Sequence, residues 1–500
     1  MRISNKIYSL FFVWLLLFSN ANAKISISPN YPFFNSMKSD SQQFIISGNA
    51  TFNKVFVCAP REAYAWIVNS GISIVDFNKN GLNDIPFTAA DDTVIYWSYS
   101  WPGRVYIASQ TSPGSFQCIA ITNSDKDTPY GITILDYDFD GYLDLVYASA
   151  RSNGIYRLKN WGSNFFSESQ ITQGAGFPNH VAVRKLNVGY GIAVLYTDEN
   201  FRLYEYNLST NSINTLNTSC REGLAVGDIN GDGLQDVVCG SGSGFYTNDG
   251  KGYLYYQLNS NNGWSQVYQL SSVYGRWHGI ALGDLNKDNK LDVVSCRGDD
   301  DRVYVFYNNG GNPPIFTLIT SISTGADFTE CEVRIADIDC DGDYDIVWTN
   351  GYDFVQSGPS IGWIENNTWI NRVIEIGTYQ VYGAAVGYVN SDKKPDIVAG
   401  LRNNLYIYYN TTNVSDASCA PITPVDIPEG FEINAEIEVK GKEIKFILNR
   451  NINDKLDIFD VSGKKLWTYY INGQQLIFRI PNSGVYIVRL RDKSYKVVVK

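Results

Sequence analysis

The stretch Gly227-Asp-Ile-Asn-Gly-Asp-Gly-Leu-Gln-Asp-Val-Val238 decides the fold of this chain. Its centre is the nine-residue pattern D-x-[D/N]-x-[D/N]-G-x-x-D. The pattern starts five times, at Asp76, Asp136, Asp228, Asp284 and Asp337. Carboxylate and amide oxygens at alternate positions of a tight loop converge on one point, as the ligands of a hard cation do. The sequence therefore predicts five calcium sites.

The predicted calcium ligands are the first, third, fifth and ninth residues of each copy. They are Asp76, Asn78, Asn80 and Asp84; Asp136, Asp138, Asp140 and Asp144; Asp228, Asn230, Asp232 and Asp236; Asp284, Asn286, Asp288 and Asp292; and Asp337, Asp339, Asp341 and Asp345. Asn289 replaces the glycine of one copy, and Asn tolerates the positive φ expected there. An EF-hand is excluded because no copy has Glu at its twelfth position. Short apolar flanks predict instead a strand on each side of every loop.

Two faded copies complete the repeat. One surrounds Lys185 and the other starts at Tyr388, and both lack the first acid, so we expect them to bind no cation. Counting both copies gives units near residues 76, 136, 185, 228, 284, 337 and 388. Units of four strands at such a period are typical of propeller blades. The predicted fold is an all-β, seven-bladed β-propeller, in which an N-terminal strand, Lys54–Cys58, completes the last blade.

The phrases Gly227–Val238 and Gly283-Asp-Leu-Asn-Lys-Asp-Asn-Lys-Leu-Asp-Val-Val294 resemble the FG-GAP or VCBS repeats of integrin alpha-chain propellers and of many bacterial surface proteins. The resemblance covers about residues 50 to 410. It implies a calcium-binding propeller whose ligands bind on the face opposite the calcium loops. It does not decide function, because such propellers serve adhesion, sugar binding and a few enzymes.

The two ends of the chain indicate export. Residues 1–23 read as a cleaved secretory signal, with a basic start, a short apolar run and an A-x-A site, and no later stretch is predicted to span a membrane. The propeller is predicted over 24–412, a linker over 413–432, and a small β-sandwich over 433–500. The Asp460-Val-Ser-Gly-Lys464 turn, the Gly484–Arg489 strand and the basic last strand resemble the C-terminal sorting domain of the type IX secretion system of Bacteroidetes. An ordinary accessory domain is the alternative.

This resemblance implies the type IX secretion machinery as a partner and a secreted or outer-membrane surface location. The net charge of −11 is mostly that of the predicted metal ligands, and no basic stripe suggests nucleic acid. We expect a monomer. The eight cysteines fit an oxidising compartment, where a Cys58–Cys419 bridge would lock the ring, although buried free thiols explain them equally well.

For function, the sequence favours a non-catalytic module that binds a glycan or an extracellular protein. The predicted binding residues lie in aromatic segments of the face opposite the calcium loops: Trp97, Trp101, Arg276, Trp277 and His278. The alternative is a carbohydrate-active enzyme, a polysaccharide lyase or hydrolase, that uses His180, His278 and Arg276 at the mouth of the channel. No nucleophile motif, zinc spacing or acid pair outside the loops supports catalysis.

Overall fold

The structure is a computed structural model, and it describes residues 43–59, 65–91, 102–122, 126–127, 129–138, 140–150, 152–162, 165–173, 178–185, 192–198, 200–208, 210–242, 251–260, 262–326, 331–351, 358–377, 381, 383–401, 404–414, 419–420, 435–460, 464–490 and 493–499. Within these ranges the regular elements are all β-strands. In these ranges no helix is long and apolar enough to cross a membrane.

The strands up to residue 410 are β1 (Gln43–Ser47), β2 (Ala50–Cys58), β3 (Ala65–Ile72), β4 (Ile85–Asp91), β5 (Pro102–Ser112), β6 (Ser115–Ala120), β7 (Lys126–Asp127), β8 (Pro129–Leu135), β9 (Asp144–Ser149), β10 (Gly154–Asn160), β11 (Phe166–Gln173), β12 (Pro178–Lys185), β13 (Ile192–Asp198), β14 (Leu203–Asn207), β15 (Ser212–Asn217), β16 (Glu222–Gly227), β17 (Asp236–Gly240), β18 (Leu254–Gln257), β19 (Asn259–Ser260), β20 (Gly263–Trp264), β21 (Tyr268–Gln269), β22 (Trp277–Gly283), β23 (Asp292–Arg297), β24 (Arg302–Gly311), β25 (Pro314–Ser323), β26 (Cys331–Ala336), β27 (Asp345–Asn350), β28 (Gly358–Glu365), β29 (Ile370–Gly377), β30 (Ala384–Gly387), β31 (Asp396–Leu401) and β32 (Asn404–Asn410).

These strands form seven antiparallel sheets of four or five strands within the described residues, apart from the short β19–β20 pair. In chain order the sheets are β3-β4-β5-β6 with β7 on β5, β8-β9-β10-β11, β12-β13-β14-β15, β16-β17-β18-β21, β22-β23-β24-β25, β26-β27-β28-β29 and β30-β31-β32-β2-β1. Each of the five complete loops lies between the first and second strands of its sheet, which confirms the predicted strand on each side of every loop.

Burial falls from the inside of each sheet to the outside. The first two strands are covered on both faces, and every residue of β22 and of β9 is buried. The outermost strands alternate or are exposed, as β15 and β25 are. Hydrophobic clusters lie between neighbouring sheets, where Trp348 of β27 packs with Val294 of β23 and Val305 of β24. Strands buried on both faces explain the continuous apolar runs around the loops.

The innermost strands contact one another in sequence. β3 contacts β8, β8 contacts β12, and contacts continue through β16, β22, β26 and β30 back to β3. Antiparallel sheets stacked side by side around their first strands form a β-propeller. Both faded copies are hairpins within it: Lys185 ends β12, and the loop that starts at Tyr388 joins β30 to β31.

An N-terminal strand completes the last sheet, as the sequence predicts. β2 pairs antiparallel with β32, so that Phe52 lies opposite Asn410 and Val55 opposite Ile407. The predicted Cys58–Cys419 bridge is wrong. The four disulfides are Cys58–Cys118, Cys220–Cys239, Cys296–Cys331 and Cys340–Cys419. Cys118 lies on β6, the outer strand of the first sheet, and β6 contacts β2 of the last sheet. The Cys58–Cys118 disulfide therefore joins the first and last sheets.

The C-terminal strands are β33 (Ala435–Lys440), β34 (Glu443–Asp460), β35 (Lys465–Arg479), β36 (Gly484–Leu490) and β37 (Lys493–Val499). They form one antiparallel sheet in the order β33-β34-β36-β37, with β35 also paired to β34. The pairing of β34 with β35 shifts register between Ile447 and Ile452. Phe446 before this shift and Ile458 after it belong to the same buried cluster as Val488 of β36.

Candidate functional site

The ninth residue of each complete loop is a buried aspartate that ties the loop to its sheet. Asp345 Oδ2 accepts the N–H of Ile338 at 2.9 Å, and Oδ1 accepts the N–H of Asn366, just after the third strand, at 2.9 Å. The corresponding donors are Phe77 and Gln110 for Asp84, Tyr137 and Asn160 for Asp144, Ile229 and Asn259 for Asp236, and Leu285 and Asn308 for Asp292. Five closing carboxylates therefore share one scaffold.

Burial makes these carboxylates costly to ionise in the protein alone. It raises the pKa of Asp144 and of Asp236 to about 7, that of Asp292 to about 6 and that of Asp345 to about 8, against the lowering effect of the backbone N–H donors. The pKa of Asp84 is raised for the same reason. A divalent cation beside such a group favours its ionised form.

The first aspartates accept hydrogen bonds within their loops. In each complete loop the sixth residue donates its N–H to Oδ2 of the first aspartate, at 2.7–2.9 Å. These sixth residues all have positive φ: Gly81, Gly141, Gly233, Asn289 and Gly342. Asn289 adopts a φ of 64°, which confirms that Asn serves at this position. The loops are thus shaped by their own backbone before any ligand is considered.

In two loops the carboxylates converge closely. Oxygens of Asp136, Asp138 and Asp140 lie within 4.8 Å of one another, and so do oxygens of Asp337, Asp339 and Asp345. A set made only of oxygen donors suits calcium and magnesium better than a transition metal. Three of the four predicted ligands in each of these two loops are therefore placed to hold a metal ion.

Basic side chains already neutralise part of this charge in some loops. In the Asp136 loop, Lys159 Nζ pairs with Asp138 and, at 2.9 Å, with Asp140, while Arg157 lies 3.1 Å from Asp138. In the Asp284 loop, Lys290 lies 2.6 Å from Asp288. An ammonium group at these carboxylates competes with a bound cation.

The Tyr388 loop keeps the scaffold without the first acid. Asp396 accepts N–H groups from Val389 and Asn410 at 2.9 Å each, as the closing aspartates of the complete loops do. Lys393 adopts a φ of 60° at the glycine position. That this loop and the Lys185 loop bind no cation stays a prediction.

A second group of polar residues lies at the start of four consecutive innermost strands. His180 of β12, Glu222 of β16, His278 of β22 and Glu332 of β26 are all buried. His278 Nδ1 lies 2.5 Å from Glu222 Oε2, and Arg334 Nη1 lies 2.7 Å from Glu332 Oε2. We call these five residues the channel cluster. The cluster contains both histidines of the sequence, which were predicted to lie at one end of the channel.

The electrostatics of the channel cluster link all four strands. Burial lowers the pKa of His180, although Glu332 and Glu222 oppose this effect. Burial alone would raise the pKa of Glu222, but His278 and Arg221 bring it below its usual value. Glu222 is therefore a carboxylate. His278 Nε2 is buried and has no hydrogen-bond partner among the described residues.

Sequence reasoning missed Glu222, Glu332 and Arg334. The repeat register contains the signal, because Glu222-Gly223 and His278-Gly279 occupy the same offset before the first aspartate of their loops. Placing the units in register would have matched Glu222 with His278, and Glu332 with His180, which both stand one residue nearer their loops.

The predicted binding tryptophans do not form an exposed group in the described residues. Trp97 and Trp101 lie outside those residues. Trp277 is 0% exposed, its Nε1–H donates to Val273 O at 3.2 Å, and its ring packs edge-on against Tyr304. Because Trp277 begins the fully buried β22, its ring fills the space between sheets. The prediction that the Trp277 ring is exposed for ligand binding is therefore wrong.

Arg276 is held at the end of the sheet opposite the calcium loop. Its backbone N–H donates to Asp299 Oδ2 at 2.6 Å, its Nε lies 3.2 Å from Asp299 Oδ1, and its Nη2 donates to Gly298 O. Lys251 pairs with the same Asp299 at 2.7 Å. The guanidinium is thus fixed by a neighbouring loop, although more than a quarter of its side chain is exposed, at 28%.

An exposed aromatic ring lies two residues before Arg276. Tyr274 is 56% exposed, and its ring lies edge-on to that of Tyr253 at 5.4 Å. Its backbone carbonyl accepts a hydrogen bond from Arg297 at 3.2 Å. We call Tyr253, Tyr274 and Arg276 the Tyr274 patch. The patch combines an accessible aromatic ring with an anchored cation.

Comparisons with known proteins agree with the repeat. A family model described as FG-GAP-like repeat matches residues 228–295 and 284–348. Human integrin alpha-6 is 32% identical over 109 residues, which are 20% of this chain and 10% of the integrin chain. This chain thus spans about a tenth of the length of that relative.

Among solved structures, a BBS1N chain crystallised with ARL6DN superimposes with a TM-score of 0.45 at 15% identity, over 75% of this chain and 99% of its own. The exotype rhamnogalacturonan lyase YesX has a TM-score of 0.44 at 11% identity, over 73% of this chain and 76% of its own. The sequence matches, together with the sheets described above, show that this chain carries FG-GAP-like repeats on a β-propeller.

Proposed function

We propose that this chain is an exported, calcium-binding β-propeller of seven blades that binds a glycan or an extracellular protein without catalysis. The four disulfides support export, because such bridges persist in oxidising compartments. The continuous contacts among innermost strands, from β3 around to β30 and back, support a closed ring of seven blades. The oxygen donor sets of the complete loops support calcium.

The observation that carries the binding proposal is the Tyr274 patch. An exposed aromatic ring suits the apolar face of a sugar ring or a protein side chain, and Arg276 adds an anchored cation two residues along the chain. Tyr253 packs against the ring of Tyr274, and Asp299 holds Arg276, so little side-chain freedom remains to be lost on binding. The patch lies opposite the calcium loops, on the face for which the sequence predicts ligand binding.

The channel cluster supports a binding function without catalysis. Its two glutamates are paired with His278 and with Arg334, and its histidines and glutamates are buried. The Glu222–His278 contact joins the innermost strands of two neighbouring sheets, which is a structural role. The alternative function, a carbohydrate-active enzyme, rests on one observation: Glu222 orients His278 as a carboxylate orients a general base, and His278 Nε2 lacks a partner among the described residues.

For the C-terminal region we propose a small β-sandwich that serves as a type IX sorting domain. The common buried cluster of the two halves of β34 supports a sheet that folds over on itself. Asp460 and Lys464 close the predicted turn through hydrogen bonds in both directions. The protein would then be a monomer that is secreted or held at the outer surface of a Bacteroidetes-type bacterium. Deletion of residues 433–500 should retain it in the periplasm of such a host.

A glycan array probed with the intact calcium-loaded protein tests the binding proposal. Tyr274→Ala and Arg276→Ala should each abolish binding to the glycan that wild type selects. Tyr274→Phe should keep it, because the ring face remains. Product analysis on that glycan then separates the two functions. Turnover that His278→Gln abolishes and Tyr274→Ala leaves intact would establish the enzyme and overturn the binding module.

A further inference from the structure

A short segment after the last blade covers the Asp337 loop. Cys419 forms a disulfide with Cys340, which stands between the predicted ligands Asp339 and Asp341. The next residue, Ala420, donates its backbone N–H to Asp337 Oδ2 at 2.6 Å. We call residues 419–420 the strap. It is attached to the loop by one covalent bond and one hydrogen bond.

The strap changes the surroundings of the first aspartate. In the Asp76, Asp228 and Asp284 loops, the N–H groups that donate to the first aspartate come from the loop itself. Those three aspartates are partly exposed, whereas Asp337 is 0% exposed. The Asp337 loop is therefore closed over by residues from elsewhere in the chain.

The third ligand position points to a bound cation independently of the strap. Asp339 is 6% exposed, and its Oδ1 has no hydrogen-bond partner among the described residues. Its Oδ2 has only a long contact, 3.5 Å, to Asn49 of the turn between β1 and β2. A buried carboxylate oxygen without a donor is destabilising. Carboxylate oxygens of Asp337 and Asp345 lie within 4.8 Å of one of Asp339, so one cation is placed to contact all three.

We propose that the strap makes the Asp337 loop a locked calcium site, from which the ion is released more slowly than from the other loops. The inference rests on the proposed binding of calcium. The disulfide fixes the conformation of the loop before the ion arrives, so less conformational freedom is lost on binding. Ala420 holds Asp337 in its ligating orientation, and the ion leaves only after the strap moves. In return, the bound ion holds the start of the linker against the propeller.

The test is calcium release from the full-length, calcium-loaded protein, mixed rapidly with an excess of a fluorescent chelator. Wild type should show a slowest phase whose amplitude equals one ion per chain. The double variant Cys340→Ser/Cys419→Ser should lose that phase, with release from this loop faster by roughly tenfold or more, the size expected for a charged hydrogen bond and its tether. Cys220→Ser/Cys239→Ser, which removes a bridge within another sheet, should keep it.

A second variant covers the case in which the cysteine variant fails to fold. Ala420→Pro removes the N–H donor but leaves the disulfide, and should also speed the slowest phase, while Ala420→Gly should not. A protein that binds no calcium would overturn both the proposed function and this inference. Calcium binding with a slowest phase that is unchanged in both the serine and the proline variants would overturn the strap alone.

Discussion

The Asp136 and Asp337 loops share one motif, but different residues surround them. Both place three acids within 4.8 Å. In the Asp136 loop, Lys159 and Arg157 reach the third and fifth positions. In the Asp337 loop, a disulfide and a backbone N–H close over the acids. The comparison teaches that the nine residues set the shape of the loop, while residues outside it determine how strongly the loop binds a cation.

One equivalent position has opposite charge in the two sheets. Asn160 and Asn366 both donate their N–H to the closing aspartate, so they are equivalent. The preceding residue is Lys159 in one sheet and Glu365 in the other. The charge beside the metal loop is thus reversed. Glu365 pairs with Arg372 at 2.5 Å and accepts from Asn49 at 3.1 Å, which keeps this extra acid in place beside Asp339.

Removal of calcium should have the largest effect on the stability of the folded chain. Each occupied site stabilises the folded chain by about 4 kcal/mol when free calcium is about a thousand times the Kd. Excess chelator should therefore lower the thermal unfolding temperature strongly, and readdition of calcium should restore it. In a stepwise titration with chelator, the comparison predicts that the Asp136 loop empties first and the Asp337 loop last. An unfolding temperature that does not respond to chelator would contradict calcium binding at these loops.

Substitution of the closing aspartates should separate the stability that their hydrogen bonds contribute from the stability that the bound cation contributes. Asp144→Ala and Asp345→Ala each leave two N–H groups without their acceptor, which costs about 1–3 kcal/mol for each group that is buried. With chelator present, we expect similar losses in the free energy of unfolding. With calcium, Asp345→Ala should lose more, because it also removes the tighter site. Urea unfolding with and without calcium measures the loss in each condition. A larger loss for Asp144→Ala than for Asp345→Ala in calcium would contradict the tighter binding expected at the Asp337 loop.

A feature of the fold or of the site could be predicted from the sequence when the residues that determine it are close together in the chain. The loops and their strands follow from nearby residues, since Asp, Asn and Gly at fixed offsets determine a turn. Lys159 acts from the far end of a third strand, where only the repeat register indicates its target. Trp277 was misplaced because aromatic content does not show which neighbouring sheet covers a ring. The partner of Cys58 depends on which outer strands adjoin once the ring closes.

The Tyr388 loop extends the comparison to a scaffold that lacks the first acid. Burial raises the pKa of Asp396 to about 7 from an ordinary value of 3.8, against the N–H donors Asn410 and Val389, which lower it. The folded state therefore holds this proton more tightly than the unfolded state. The stability that the proton contributes is complete below about pH 4 and is lost as the pH rises through about 7.

The complete loss should be about 4 kcal/mol for the one residue, of which about 3 kcal/mol falls between pH 5 and pH 8. Asp396→Asn cannot ionise and should remove this component. The measurement is urea unfolding at pH 5 and pH 8 in saturating calcium, for wild type and for the variant. The wild type should lose more stability than Asp396→Asn over this interval. Equal losses would show that Asp396 does not titrate as its burial implies.

The smallest effect tests the charge reversal directly. Lys159→Gln removes the ammonium that competes for Asp138 and Asp140, so calcium affinity at the Asp136 loop should rise by roughly tenfold, or about 1.4 kcal/mol. Lys159→Arg keeps the charge and should leave the affinity nearly unchanged. Lys159→Glu copies the Asp337 sheet and should raise the affinity further, while Glu365→Gln should lower that of the Asp337 loop. Calorimetric titration of the calcium-free proteins measures each change. If Lys159→Gln weakens binding instead, the lysine organises the loop, and the difference between the two loops has another cause.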